Sequence, residues 1–487
     1  MPIPATASPA SCDALVIGAG VAGLFCATAL ADAGLRVCVL EARAEPGGRA
    51  RSWFDARMAM EIDIGPHVVS SEHVNFLRML ERLGSADRIA WQPDPLLTLL
   101  DAGELLAAAS VRWTPPLHGL PNIPVALRRM SLADALSHWR LSWQAARVSE
   151  SGLRALDTQD AASWLRSLQV SERAIDWFWR SALLAMLNVP LEQCSAAAAM
   201  RIFRLMQGRS GYHFGFPTVG LSQMYVPQCI AAIRARGGEV RTQAAVRTLD
   251  VQDGIVRGAH LRDGSAVRAP WCVVAIAPWN VAPLLARTRE ARLAPLQQAA
   301  TRFIGAPYTS SYLALDRRLG EQRFWARVWN PQDLNTDFYD LAKIRPAVTG
   351  GGSLIACNAI GPNAHLEWSD AQVIDRTLVE LEEFAPSAGA TRVLAARVHR
   401  IRAAIPQPRP GTEALRPSHR TAVGGLLLAG DWTDTSVPCS MESAARSAAL
   451  AAGAVLGQQL ALPAPETYGL VGLLRERSPA TARKPCA

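Results

Sequence analysis

At 487 residues with 49% hydrophobic side chains, the chain can bury two or three sizeable cores. Fifty basic against 42 acidic residues leave a net charge of +8, a modest excess without a basic run or an aromatic-interleaved patch, so composition argues against a nucleic-acid binder and leaves only a possible attraction to anionic lipid. No uncharged stretch reaches the roughly 18 apolar residues of a membrane span. The nine cysteines are scattered without a CxxC pair, as reduced thiols of a cytoplasmic protein would be, and no metal site is expected.

Met1 to Cys12 reads as a floppy lead with neither a charged n-region nor an apolar core. The first folded unit runs from Asp13 to Glu41. Ala14-Leu15-Val16-Ile17 is a short buried strand, broken by Gly18-Ala19-Gly20-Val21-Ala22-Gly23. Val21 to Asp32 is Ala/Leu-rich at helical spacing, Gly34 ends it, and Arg36 to Leu40 is a second strand that delivers Glu41 to its end. Strand, glycine turn, helix, strand and acid in that order predict a dinucleotide-binding unit. Gly18 permits the tight turn, Gly20 lets the backbone approach a pyrophosphate, and Gly23 lets helix and strand pack closely. The helix N-terminus at Val21 and Ala22 offers unpaired N–H groups to phosphate. Glu41 suits the 2′- and 3′-hydroxyls of a ribose. After Ala42 and Arg43, the run Pro46-Gly47-Gly48-Arg49-Ala50-Arg51 adds a second glycine pair with guanidiniums suited to a pyrophosphate, which a nicotinamide domain does not need.

Met60 to Val69 reads as a strand that turns at Gly65-Pro66-His67, followed by a helix from His73 to Leu83. Residues 91–112 are irregular and short-stranded, and Pro115, Pro116, Pro121 and Pro124 make a loop that no helix traverses, where a domain crossing is placed. Leu132, Leu136, Trp139 and Trp143 share one face at i, i+4, i+7, i+11, with Arg128, Arg129, Arg140 and Arg147 nearby. Such a stripe is more often core, and the other reading is a helix lying in a lipid interface. Helices opening at Leu156, Ser171 and Ser195 form a Trp- and Leu-rich block. The middle one carries Ile175, Phe178, Trp179, Leu183 and Leu187 and stops at Asn188 and Pro190. The block suits either the lining of a long apolar ligand or a plain helical core.

A helix from Gln223 to Arg236 and strands between Glu239 and Ile276 return to the nucleotide domain. Residues 281–395 depart again, with strands at Ser311 to Leu315 and Ser353 to Asn358 and an amphipathic helix from Asp370 to Phe384. The last return is Gly425 to Trp432, a strand ending at Gly430-Asp431, then a helix from Met441 to Leu456. These boundaries assign 11–90, 215–280 and 396–460 to a discontinuous nucleotide domain, 91–214 and 281–395 to a substrate domain, and 463–487 to a flexible tail.

The chain resembles the amine oxidase and phytoene desaturase flavoprotein superfamily, and within it the bacterial hydroxysqualene dehydroxylases. The resemblance rests on Gly18-x-Gly20-x-x-Gly23 with Glu41, Gly47-Gly48-Arg49, Ile62-Asp63-x-Gly65-x-His67, Phe178-Trp179 through Leu187-Asn188-x-Pro190, Pro217 to Leu221-Ser222, and Ala429-Gly430-Asp431-Trp432-Thr433 with Ser440-Met441-Glu442. It implies an α/β fold: a Rossmann-like FAD-binding domain of the GR2 type with an inserted α+β substrate domain that includes the helical block. Non-covalent FAD would be held by Gly18, Gly20, Val21, Ala22, Gly23, Glu41, Ala42, Arg43, Gly47, Gly48, Arg49, Gly65, Pro66 and His67, by Val246 through its backbone at the adenine, and by Gly430, Asp431, Ser440 and Met441. Trp179, Leu183, Leu187 and Trp432 would line the substrate.

The implied reaction is reductive removal of an allylic hydroxyl, hydroxysqualene to squalene, with an electron donor or acceptor recharging the flavin. His67 is the candidate acid, its other reading being a hydrogen-bonded histidine that fixes its loop. Ser443 and Ala448 stand where relatives often have glycine. Phytoene-type desaturation is the alternative, and a flavin-binding lipid carrier the non-enzyme one. Amine oxidation is disfavoured: Cys439-Ser440 stand where an aromatic ring is expected, and neither Lys343 nor Lys484 lies near the strand at Ser311. The implied location is the cytoplasm, with a peripheral position on the inner face of the membrane as a further expectation.

Overall fold

A computed structural model describes residues 10–474 apart from 93, 349 and 361–363, so residues 1–9 of the lead and 475–487 of the tail lie outside the described residues. The fold is mixed α/β. Five parallel strands form a central sheet in the order Glu239–Arg241, Val37–Leu40, Ala14–Ile17, Trp271–Val274, Leu426–Leu428. Ala14–Ile17 and Val37–Leu40 are buried along their whole length, which is why they read as continuous apolar runs rather than alternating ones. Helices Val21–Asp32, Leu221–Ala235 and Met441–Leu456 share a core over one face through Leu24, Phe25, Tyr225 and Ala448. The other face packs against antiparallel strands Val246–Gln252, Ile255–Leu261 and Ala266–Arg268 and the helix Pro278–Thr288.

A seven-stranded sheet forms the second layer, in the order Val393–Pro406, Gly305–Leu315, Leu354–Ile360, Asp337–Asp340, Phe324–Arg327, Leu97–Asp101, Glu104–Ala108. Trp325, Phe338 and Cys357 pack outward beneath the helix Asp370–Phe384, Trp325 stacking on Phe384 at 3.7 Å. The strand period of two therefore turns Asp337, Tyr339 and Asn358 to the opposite, inner face. Two expected boundaries shift. Position 396 falls inside Val393–Pro406, which pairs with Gly305–Leu315, so the chain leaves this sheet only after 406. The stretch from Pro278 to Phe303 lies in the nucleotide-side core, which corrects the assignment of residues from 281 onward to the substrate domain. Pairing partners, not composition, decide which sheet a segment joins.

The helical block has its own core, with Trp164, Trp179, Leu183 and Leu187 at its centre. Its helices start on side-chain caps: Ser149, Asp160, Ser171 and Ser195 each accept a first-turn backbone N–H. The expected single stripe from Leu132 to Trp143 is two helices, Leu132–Leu136 and Trp139–Arg147, and all four stripe residues are exposed, by 61, 61, 62 and 54% in order. A core role for the stripe is thereby removed. Arg140 and Arg147 lie over the Trp139 and Trp143 rings. The tail is less loose than Pro463 and Pro465 suggest. Leu462 N–H donates to Asn75 Oδ1, Tyr468 bonds Ser210, and a helix Gly469–Leu474 buries Val471, with Leu470 N–H donating to the Pro115 carbonyl. Among the described residues no helix is long and apolar enough to cross a membrane.

Candidate active site

At the end of strand Ala14–Ile17 the chain turns through Gly18 at φ +105°, where a Cβ would lie 2.7 Å from the Ala275 carbonyl oxygen. A Cβ on Gly23 would sit 1.8 Å from the Gly18 carbonyl oxygen, so this glycine serves helix–strand packing and stands back from the cavity. Gly20 differs. It is the helix N-cap in extended conformation, without a side-chain cap, and its Cβ position meets only Gly48 Cα at 3.8 Å. Gly20 and Gly48 thus form a cradle walled by bare backbone, beside first-turn N–H groups of Val21 and Ala22. Glu41 is fixed at the strand end: Oε2 accepts from Ala19 N–H and Oε1 from Arg43 N–H, both at 2.9 Å.

Arg49 and Asp431, read separately from the sequence, meet across 382 residues in a bidentate pair of 2.6 and 3.0 Å. Arg49 also donates to the Ala404 carbonyl and lies over the Trp279 ring at 5.6 Å. The turn at Gly430 is held from behind by Arg416, which is buried and donates to the carbonyls of Asp431, Thr433 and Val437. Gly430 N–H donates to Ser447 Oγ at 2.7 Å. Ser443 adds to the same turn, its hydroxyl donating to the Asp431 carbonyl at 2.8 Å, so the side chain that replaces the expected glycine is used. Ser440 caps the helix Met441–Leu456 by accepting from Ser443 N–H. Glu442 accepts from Asn75 N–H and Nδ2–H and from Phe76 N–H, tying this helix to the start of Val74–Arg82.

One cavity of about 1450 Å³ is bordered by every residue expected at the cofactor except Gly23, namely Gly18, Gly20, Val21, Ala22, Glu41, Ala42, Arg43, Gly47, Gly48, Arg49, Gly65, Pro66, His67, Val246, Gly430, Asp431, Ser440 and Met441. Its volume exceeds the roughly 300–1,000 Å³ of ordinary single-ligand sites, so a cofactor leaves room for a second molecule. Beyond the cradle the cavity runs between the inner face of the large sheet and the helical block. At Gly65 the loop crosses that sheet closely: a Cβ would lie 2.5 Å from Ser310 Oγ.

The four expected substrate-lining residues are corrected. Trp179, Leu183 and Leu187 face the core of the helical block, and the Trp179 indole N–H donates to His138 Nε2. The cavity side of the same helix carries Phe178, Ser181, Ala182, Leu184 and Ala185. Large residues at helical spacing mark the best-packed face, while a ligand needs the face where small residues leave space. A π-helical turn over Ile175–Trp179 leads into this helix. Trp432 is fully buried against Phe303, with its indole N–H donating to the Ile276 carbonyl, and borders no part of the cavity.

His67 does border the cavity. Its Nδ1 lies 2.8 Å from the Gly65 carbonyl, which can only accept, so Nδ1 carries the proton, and burial lowers the ring's pKa. A neutral imidazole whose N–H is committed to its own loop is a poor acid, which favours the loop-fixing role. Lys343 donates to the Leu319 and Gly320 carbonyls and pairs with Asp340, away from the cavity.

Sequence reasoning missed Tyr308, Asp337, Tyr339 and Asn358, which form a polar floor opposite the loop at Gly65. The signal lay in Asp337-Phe338-Tyr339, where polar and aromatic residues share one strand face and Phe338 takes the other.

The family model described as flavin containing amine oxidoreductase matches residues 21–456. The chain is 24% identical to 15-cis-phytoene desaturase, chloroplastic/chromoplastic, of Solanum lycopersicum, over 91% of this chain and 77% of that relative. To a probable zeta-carotene desaturase of Synechococcus elongatus it is 24% identical, over 91% and 98%. Among solved structures, an oxidoreductase from Methanosarcina mazei superposes with a TM-score of 0.66 at 17% identity, covering 92% of this chain and 100% of that one. Cyclohexylamine oxidase from Brevibacterium oxydans superposes with a TM-score of 0.66 at 20% identity, covering 92% and 99%. The chain belongs to the flavin containing amine oxidoreductase family and is a flavin-dependent oxidoreductase whose cofactor is FAD.

Proposed function

We propose that the enzyme holds FAD non-covalently in the cradle of Gly20, Glu41, Gly48, Arg49 and Asp431 and acts on a long apolar polyprenoid, removing an allylic hydroxyl reductively to convert hydroxysqualene to squalene. The observation that carries the reading is the extension of the cavity past the cradle along an apolar wall of Phe178, Ala182, Ala185, Ile202, Leu205 and Met206, with polar groups concentrated on the opposite floor. Such a wall binds a hydrocarbon chain at roughly 25 cal/mol per Å² buried, and a few polar groups set its direction.

FAD, when bound, supplies a two-electron couple. The chain's own contribution is to orient the alcohol, keep water from a cation-like transition state, and hold a proton for the departing oxygen. A second reading, desaturation of a phytoene-type carotene by the oxidised enzyme, is favoured by the names of the desaturase relatives. Amine oxidation lacks the support of Trp432 and Lys343 described above.

A polyprenoid is drawn from a bilayer, and the exposed Leu132, Leu136, Trp139 and Trp143, with Arg140 and Arg147 beside them, form the surface that meets an anionic one. The decisive experiment mixes chemically reduced enzyme with hydroxysqualene under anaerobic conditions, follows flavin reoxidation and identifies the product by mass. Squalene formed in step with reoxidation supports the first reading. No turnover there, with conversion of phytoene by oxidised enzyme, replaces it with the second.

A further inference from the structure

Six carboxyl side chains border the cavity among the described residues: Glu41, Glu72, Asp333, Asp337, Asp431 and Glu442. Five are held by cations or by backbone N–H groups. Glu41 and Glu442 accept backbone N–H groups, and Glu72, Asp333 and Asp431 pair with Arg209, Arg327 and Arg49. Asp337 forms no ion pair and accepts no backbone N–H bond from another residue among those described. Its partners are the Tyr339 hydroxyl, which donates to Oδ2, the Thr336 hydroxyl, 3.1 Å from Oδ1, and Asn358 Nδ2, 3.4 Å from Oδ2.

The position of Asp337 is as particular as its company. Asn358 lies opposite it in the sheet, receives the Ser310 hydroxyl on Oδ1 at 2.8 Å, and places Nδ2 3.5 Å from the Pro66 carbonyl. Ser310 is the residue that a side chain at Gly65 would strike. One amide therefore bridges the Gly65-Pro66-His67 loop, on the cofactor side, and the Asp337 carboxyl on the floor. Among the described residues, the titratable groups whose charge is felt at Asp337 are Tyr339 on its own strand, Tyr308 on Gly305–Leu315 and, from the outer face of the sheet, Cys357 on Leu354–Ile360, none of them cationic.

We propose, resting on the reading that the enzyme removes an allylic hydroxyl, that Asp337 is the catalytic residue that protonates the leaving oxygen. The C–O bond breaks and the oxygen departs as water on taking the Asp337 proton. A C–H bond forms at the allylic carbon with two electrons and one proton drawn from dihydroflavin, the co-reductant. The second proton released on flavin oxidation returns to the carboxylate. Alcohol plus dihydroflavin thus gives hydrocarbon, water and oxidised flavin. The protonation state suits a proton donor, since burial without a cation pushes Asp337 up to about 6, against the hydrogen bonds from Tyr339, Thr336 and Asn358 that favour the anion.

The test uses FAD-loaded wild type, Asp337→Asn and Tyr339→Phe, each first checked for FAD content and flavin spectrum. Pre-reduced enzyme is mixed anaerobically with hydroxysqualene at a series of pH values. The wild-type single-turnover rate should fall above about pH 6 as the acid deprotonates. Asp337→Asn should lose about 10²- to 10⁴-fold and become flat with pH. Tyr339→Phe removes a donor to the carboxylate, so its alkaline limb should move to higher pH, a shift that a merely structural role would not produce. Infrared difference spectra between about pH 5 and about pH 8 should show a protonated carboxyl stretch that is missing in Asp337→Asn. Wild-type turnover with Asp337→Asn at the same rate and the same pH limb overturns the role of Asp337 and leaves the parent reading standing. No squalene from wild type overturns the parent reading and the role of Asp337 with it.

Discussion

Gly20→Val should leave a folded protein without FAD, whereas Gly23→Ala should damage the fold. At Gly20 the backbone sits at φ −83°, ψ −174°, which valine adopts freely, and an ideal Cβ meets only Gly48 Cα at 3.8 Å, ordinary contact. The cost to the cofactor-free protein is therefore small, within about 1 kcal/mol, and is offset by the reduced freedom of the unfolded chain. The added side chain instead fills the space between two backbones where the pyrophosphate is to lie. At Gly23 the Cβ falls 1.8 Å from the Gly18 carbonyl oxygen, with Ala275 Cβ at 3.3 Å behind it. Relief requires the helix to lift off the sheet, which costs at least the ~1–3 kcal/mol typical of overpacking, a large share of a total near 5–15 kcal/mol.

The assay is urea unfolding of deflavinated proteins, paired with the visible-to-ultraviolet absorbance ratio of the proteins as purified. Deflavinated wild type and Gly20→Val should unfold together and Gly23→Ala earlier. As purified, wild type should unfold later than Gly20→Val by its cofactor linkage, about 2.7 kcal/mol at a hundredfold excess of FAD over its dissociation constant. Stoichiometric FAD in Gly20→Val refutes the cradle, and coincident unfolding of Gly23→Ala with wild type refutes the packing argument.

Leu183→Ala should destabilise by about 2–5 kcal/mol in urea with substrate binding intact, whereas Ala182→Trp, one residue away on the cavity side, should raise KM for the polyprenoid with FAD content unchanged. Trp139→Glu combined with Trp143→Glu should abolish co-sedimentation with anionic liposomes; full retention removes this surface from the membrane reading. His73 accepts Ser70 N–H on Nδ1 and burial lowers its pKa to about 4, so it folds neutral. The unfolded chain takes up that proton first. The stability linked to His73 is therefore present above an unfolded pKa near 6.5 and is lost as pH falls from there towards about 4. His73→Gln should flatten that part of a stability–pH curve measured by urea unfolding.

What could be read from the sequence was local. Gly18, Gly20, Gly23 and Glu41 lie within one turn–helix–strand unit, where spacing alone dictates geometry. The helix Met441–Leu456 is legible for the same reason, from its cap and its Ala-rich interior. Trp179, Leu183 and Leu187 show where such reading stops, since periodicity reveals that a helix has an apolar face but not what that face meets. Asp337 was out of reach altogether. Its tie to the cofactor side runs through Asn358 to Pro66, 292 residues earlier in the chain, and exists only once the large sheet is paired.

The way the cradle is closed bears on how the protein is made. Arg49 waits for Asp431, Asn75 for Glu442, and the central sheet for Leu426–Leu428, its last strand in chain order. At about 5–20 residues per second, translation on the order of a minute separates the first strand from the last. Through that interval Trp271–Val274 has a bare edge, a template for mispairing until Leu426–Leu428 covers it. A nascent chain that stops before residue 425 lacks Leu426–Leu428, Asp431 and Glu442 together, and so has an uncovered sheet edge and an Arg49 and an Asn75 without these partners.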